Sequence, residues 1–274
     1  MERARFGDVE LDYDSRGRGE PLLFIHGAFV AREYDCVVGR PEFPRERFRA
    51  ITYDRPGYRK STRDPFAISM EVQAQHAAKL LRYLGIERAH VVGSSFGGSV
   101  ALALAIAEPE LVQSLVVMEP AIFIGESADG YRASLLQLLE ASRTSRPEDI
   151  VADAFAPRIG TDFRALLDSA APGSYEQAVE DVDAALLLDL PAVVSFRFSS
   201  DNAKLIEQPV LCVIGEKSES LWDRFGEVQR ALLSWLPKAE GFVLPGATHA
   251  LQMQNPVDLT MRLVQFIDSH AIEK

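Results

Sequence analysis

Cysteine is scarce in this chain. Cys36 and Cys212 are the two thiols in 274 residues, so no disulfide framework is implied, and a reducing cytoplasm is the expected compartment. Positive charge is also short. Twenty-nine Lys and Arg face forty Asp and Glu, for a formal net charge of -11. That balance argues against nucleic acid or an anionic membrane as partner. No apolar run reaches the roughly 18 residues that a membrane span needs; the segment Val100 to Ala107 reads instead as a buried helix. The opening stretch MERARFGDVELDYDS is charged from its second residue and has no apolar segment of the signal-peptide kind. No H-E-x-x-H occurs and no G-x-G-x-x-G follows a strand, so neither a metal nor an organic cofactor is expected.

What remains is an ordinary globular composition, 47% hydrophobic and 25% charged, arranged in alternating elements. Arg3 to Tyr13 alternates around Gly7-Asp8, a hairpin signal. Short apolar runs at Pro21–Ile25, Phe48–Tyr53, Ala89–Val92, Leu115–Met118, Pro209–Ile214 and Gly241–Leu244 read as strands. Helical spacing marks 69–84, 96–107, 225–236 and 256–267. Strands that are apolar throughout and alternate with helices predict an α/β fold with a mostly parallel central sheet flanked by helices. From Ala121 to Leu205 the alternation stops, and amphipathic pieces at 131–142, 163–169 and 175–188, separated by Pro157, Gly160, Pro172-Gly173 and Pro191, predict a helical lid inserted into a core formed by 1–120 and 206–274.

The stretch VVGSSFGGSV, 91–100, contains Gly93-Ser94-Ser95-Phe96-Gly97, a G-x-S-x-G pattern between a strand and a helix. A serine at such a turn projects its hydroxyl above the sheet, beside the N–H groups of a helix N-terminus. Register selects Ser95 over Ser94 and Ser99 as nucleophile. Five histidines are present, and His249, after the last strand, stands in the chain order serine, acid, histidine.

With these motifs the sequence resembles the α/β-hydrolase family over nearly its whole length. His26-Gly27-Ala28 is similar to the family's HG loop, and Tyr53-Asp54-Arg55-Pro56-Gly57 with Ser61 to its structural D-x-x-G-x-x-x-S turn. Pro245-Gly246-Ala247-Thr248-His249 is similar to the loop that carries the base. The resemblance implies backbone N–H groups of Ala28 and Phe96 as the oxyanion hole. It also places the acid in a G-x-x-D loop, yet here that loop reads Gly215-Glu216-Lys217-Ser218. Serine cannot serve as the carboxylate. Glu219 is one neighbour that could substitute, and Asp223 reads as a capping or solvated residue. Glu119, ending the strand LVVM, is favoured because the carboxyl end of a central parallel strand faces the ligand crevice. Some α/β hydrolases, among them a branch of the haloalkane dehalogenases, carry their acid at that site.

The expected triad is therefore Ser95, Glu119 and His249, acting through an acyl-enzyme on a small-to-medium uncharged ester or lactone. Phe123, Tyr131, Phe155, Phe163, Phe196 and Phe198 are candidate pocket residues. A serine nucleophile argues against halide or epoxide displacement. A carbon–carbon hydrolase of the meta-cleavage type and a noncatalytic ligand-binding module are the competing readings. A homodimer is compatible with this composition.

Overall fold

The computed structural model describes residues 1–64, 66 and 69–272. The expected core segments, 1–120 and 206–274, also take in Pro65, Ala67, Ile68, Glu273 and Lys274, which lie outside the described residues. Eight strands form one sheet: β1 (Glu2–Phe6), β2 (Val9–Gly17), β3 (Glu20–Ile25), β4 (Phe48–Tyr53), β5 (Ala89–Ser94), β6 (Val112–Met118), β7 (Val210–Gly215) and β8 (Ala239–Leu244). Their spatial order is β1-β2-β4-β3-β5-β6-β7-β8. The first pairings, β1 with β2 and β2 with β4, are antiparallel, and the rest are parallel. The hairpin falls at Gly7-Asp8, with Phe6 opposite Val9.

The uniformly apolar strands follow from burial on both faces. Leu23, Ile25, Val91, Leu115, Val117 and Cys212 join a cluster with the helices Met70–Tyr83 and Phe96–Ala107. Their neighbours Leu22, Phe24, Val92, Val116, Met118, Leu211 and Val213 join a second cluster with the helix Pro256–Asp268. Period-2 alternation thus sends successive apolar side chains to opposite layers, and the buried polar residues His90 and Ser114 on β5 and β6 bond to each other.

Between β6 and β7 the chain is helical: Ala128–Ala141, Pro147–Ile159, Phe163–Ala170, Ser174–Glu180 and Leu190–Ser195 are the longer pieces. The sequence pattern expected one amphipathic piece over 175–188. Instead the chain breaks after Glu180 and passes through a π-helical stretch, Ala185–Asp189. Pro191, just beyond, lacks the N–H that would continue an α-helical ladder there. The helix Pro147–Ile159 was not among the expected pieces, and its Pro157 reads as a breaker in sequence. The inserted helices have their own apolar cluster, and it includes Phe29 and Val30 from the loop after β3 and Ala250 and Met253 from the loop region after β8.

Two glycines are required by close approach. A Cβ on Gly97 would lie 2.0 Å from the Ile25 carbonyl oxygen, and one on Gly93 would lie 2.3 Å from the Gly97 carbonyl oxygen. Backbone cannot yield there as a flexible side chain could. Gly97→Ala is therefore expected to destabilise by about 1–3 kcal/mol or more, read as a lowered Tm in thermal unfolding. An unchanged Tm would contradict the packing described.

Candidate active site

The carboxyl ends of neighbouring strands converge. β3 leads into His26-Gly27-Ala28, β5 into Ser95, β6 into Glu119, and the loop beyond β8 carries His249. Ser95 occupies the turn between β5 and its helix at φ 50° and ψ -116°. This strained conformation is held by continuation of the sheet ladder, since Ser95 N–H donates to the Met118 carbonyl at 2.9 Å. Glu119 repeats the device one strand over: its φ is 45°, and its N–H donates to the Val213 carbonyl at 3.2 Å. Among the described residues the non-glycine positive-φ positions are Phe29, Arg59, Ser95 and Glu119. Three of these four adjoin the converging strand ends, where strain of this kind marks functional geometry.

The side chains complete a chain of hydrogen bonds. His249 Nε2 lies 3.1 Å from Ser95 Oγ, and His249 Nδ1 lies 2.6 Å from Glu119 Oε2. The carboxylate is an acceptor, so the ring proton sits on Nδ1 and Nε2 is left to accept from the serine hydroxyl. The other carboxylate oxygen of Glu119 accepts from Gly215 N–H at 2.9 Å. Phe225 stacks on the imidazole, with ring centroids 4.7 Å apart and planes at 28°. Arg224 is buried beneath, donating to the Pro120 and Ile122 carbonyls and feeling the charge of Glu119.

Ser218, at the position where the resemblance expects the acid, is buried with its hydroxyl unpartnered. Glu219 faces away: its Oε1 accepts from Arg230 at 2.7 Å on the surface. Asp223 stands at the start of the helix Arg224–Trp235 without a side-chain capping bond. The remaining histidines have local partners. His76 meets Asp64, His90 meets Ser114 and Glu20, and His270 meets the Phe266 carbonyl.

Phe96 opens its helix, so its N–H has no carbonyl one turn behind it to meet. Neither this N–H nor that of Ala28 donates to a backbone group in the loops and turns of the described residues. The HG loop that carries Ala28 is held from several sides. His26 Nε2 accepts from Arg55 N–H at 3.0 Å, which leaves Nδ1–H to donate to the Gly27 carbonyl at 2.7 Å. Burial, followed by the nearby Arg55, lowers the pKa of His26 well below its usual value. Gly27 N–H donates to Glu33 Oε1 at 2.7 Å. The fully buried Arg55 donates to the carbonyls of His26 and Gly27 and pairs through both Nη atoms with Asp189, each at 2.7 Å. Tyr58 hydroxyl donates to the same Asp189 at 2.6 Å and accepts from Phe29 N–H at 3.0 Å.

Above Ser95 and His249 lies a cavity of about 100 Å³, lined mostly by apolar side chains including Leu135, Leu138, Phe155 and Val193. Of the six aromatic pocket candidates, Tyr131 and Phe155 line it. Phe163 stacks behind Phe155, and Phe123, Phe196 and Phe198 pack into or against the core. No group of three or more His, Cys, Asp or Glu that could hold a metal ion occurs among the described residues, and no helix among them is long and apolar enough to cross a membrane.

The model of the Alpha/beta hydrolase family matches residues 22–263. The chain belongs to that family. Within it, a 2-hydroxymuconate semialdehyde hydrolase of Pseudomonas sp. (strain CF600) is 42% identical over 113 residues, 40% of this chain and 40% of the relative. The aligned stretch thus spans under half of that relative's length. An sn-1-specific diacylglycerol lipase of Danio rerio is 23% identical over 270 residues, 93% of this chain and 80% of the relative. A thermophilic esterase from Thermogutta terrifontis shares the fold at a TM-score of 0.82 and 22% identity, covering 99% of this chain and 100% of that one. These names differ in the activity they state, and membership of the α/β hydrolases by itself assigns no substrate.

Sequence reasoning did not find Glu33, Asp189, Phe225 or the binding role of Arg55. The position of Arg55 inside the D-x-x-G turn was the one available signal. Two outcomes are expected from this network. Asp189→Ala leaves the Arg55 charge buried without its partner and should cost about 3–5 kcal/mol, measured by denaturant unfolding; a loss under 1 kcal/mol would contradict this. Burial pushes the Glu33 carboxyl up to about 8 from its ordinary 4.5, so the folded state keeps a proton that the unfolded chain releases. The contribution is present at pH 4 and is lost as pH rises through 8. Asp54, raised to about 7, and Asp181, raised to about 6, act in the same direction. Glu33→Gln should therefore flatten, without abolishing, the decline of Tm between pH 5 and pH 9.

Proposed function

We propose that this protein is a serine hydrolase that cleaves a carboxylic ester or lactone through an acyl-enzyme. The reading is carried by one observation, the continuous hydrogen-bonded chain from Ser95 Oγ through the His249 ring to Glu119. Ser95 attacks the carbonyl while His249 Nε2 takes the hydroxyl proton. Glu119 holds the tautomer and faces the imidazolium that results. The N–H groups of Ala28 and Phe96 receive the developing oxyanion, each worth about 3 kcal/mol in the transition state. His249 then returns the proton to the leaving alcohol. Water, deprotonated by the same ring, releases the acid and restores Ser95.

The helical segment 121–205 acts in this reading as a lid over the site, with 1–120 and 206–274 as the catalytic core. The apolar lining of the cavity suits an acyl chain or an aryl group. A second reading, hydrolysis of a carbon–carbon bond in a meta-cleavage product, is favoured by the 42% identical stretch shared with the 2-hydroxymuconate semialdehyde hydrolase, and it would use the same residues.

The test is turnover of p-nitrophenyl esters of graded acyl length. Ser95→Ala should lose about 10³-fold or more in kcat, and Glu119→Gln should lose about 10²- to 10⁴-fold. Glu219→Gln should stay within about twofold, as expected for a surface pair. If wild type turns over no ester and no serine-directed phosphonate labels it, the hydrolase reading fails. Loss of activity in Glu219→Gln alone would transfer the acid role from Glu119.

A further inference from the structure

Arg158 stands out among the residues around the cavity. It is carried by the inserted helix Pro147–Ile159 and is, among the described residues, the one Lys or Arg lining the cavity that also holds Ser95 and His249. The other ionisable lining groups have neighbours of their own, Tyr131 lying with its ring centre 4.0 Å from the Arg224 guanidinium carbon. Asp189 is held by Arg55 and Tyr58, and Glu33 accepts from Gly27 N–H. Ser95 and His249 are paired with each other.

Arg158 forms no ion pair with a carboxylate among the described residues. One Nη donates to the Ala154 carbonyl one turn back, and the guanidinium carbon lies 5.3 Å from the centre of the Trp222 ring. A guanidinium has five N–H donors, and stacking on a ring satisfies none of them. Burial weighs most against its charge; Tyr131 acts in its favour, and the Arg224 guanidinium adds to the effect of burial. A partly buried cation in this position is stabilised by an anion, and a carboxylate matches its fork in geometry.

Its location fits a role in recognising substrate. Arg158 and Leu138 line both the cavity above Ser95 and a wider outer groove of about 460 Å³ that runs past Asp153, Leu221 and Trp222. Arg158 therefore stands in the wall between the chemistry and the solvent-facing groove. With a formal net charge of -11 on the chain, the field of the protein does not gather anions, so a preference for one must be made locally.

We propose that Arg158 binds a carboxylate carried by the substrate, away from the bond that is cleaved, and that the natural substrate is an acid-bearing ester or lactone. The turnover arm below rests on the serine-hydrolase reading, and the binding arm does not. For an acid on the acyl side, the matched probes are p-nitrophenyl hydrogen adipate and p-nitrophenyl heptanoate. For an acid on the alcohol side, they are para-acetoxybenzoate and para-tolyl acetate.

Wild type should favour the acid member of at least one pair in kcat/KM, and the favoured pair identifies the end that Arg158 holds. Arg158→Gln should lower that ratio about 10- to 100-fold, as expected for one charged hydrogen-bonded contact, and Arg158→Lys should retain part of it. If neither ratio favours the acid, or if Arg158→Gln leaves both ratios unaltered, the inference is overturned.

Calorimetric titration of Ser95→Ala with the same four esters reads binding without turnover. Tighter binding of an acid ester, abolished in the Ser95→Ala/Arg158→Gln double variant, supports the inference even if wild type hydrolyses nothing, an outcome in which only the hydrolase reading fails. Equal binding of acid and neutral esters overturns it.

Discussion

The site depends on a single buried guanidinium. Arg55 meets two backbone carbonyls of the HG loop, stacks over the Phe96 and Tyr58 rings with its central carbon 4.2 Å and 4.8 Å from their centres, and closes on both oxygens of Asp189. Each partner belongs to a different part of the chain: the loop after β3, the turn after β4, the helix after β5 and the inserted π-helical stretch. Burying two charges has a large desolvation cost, which such a pair offsets only with good geometry and further hydrogen bonds. Here both are present. The α-helical ladder is interrupted just where Asp189 must reach down into the core, as π-helical turns at functional sites often are. The loop His26-Gly27-Ala28, the proposed oxyanion loop, is therefore positioned by a contact with the inserted helices as well as by its own sheet.

Legibility in the sequence followed range. Ser95 is announced by residues within two positions of it, because the close approach of strand and helix demands glycine at 93 and 97. The parallel sheet was legible because strands covered on both faces carry unbroken apolar runs. Glu119 was reached by a longer argument, from the missing carboxylate at Ser218 and the rule that strand ends face the crevice, and the model brings its carboxylate to His249. Arg55 and Asp189 are 134 residues apart, and nothing local to either announces the other. Glu33 stands only six residues from Gly27, yet no local motif pairs its carboxyl with that N–H. Arg158 lies on a helix that the sequence pattern did not predict, so its place beside the cavity was not legible. Periodicity and motifs report what neighbours in sequence need; they are silent on pairs that only the fold creates.

Electrostatics and packing divide the work around the histidine. On one ring edge the Glu119 carboxylate accepts, itself fixed by Gly215 N–H, while the Phe225 face limits rotation about the hydrogen bond. A ring held on its edge and its face loses little freedom when it passes a proton, which is what preorganisation requires. The cavity above is mostly apolar, with Arg158 and a few paired polar groups in its wall. Charges that form there meet protein dipoles rather than water, and interact more strongly for it.

The place of Glu119 along the chain has an evolutionary consequence. Ser95 and Glu119, the proposed nucleophile and acid, are 24 residues apart and belong to one strand–helix–strand unit that ends before the inserted helices begin. An acid in the loop after β7 would lie on the far side of that insertion, so remodelling the inserted segment could disturb its register. With the acid upstream, the substrate-facing helices can lengthen, shorten or repack without moving either carboxylate or serine, provided Asp189 still reaches Arg55. Under the proposed function the loop holding Ser218 is released from catalytic duty as well. Substrate range and catalytic geometry are in this way carried by separately variable stretches of one chain.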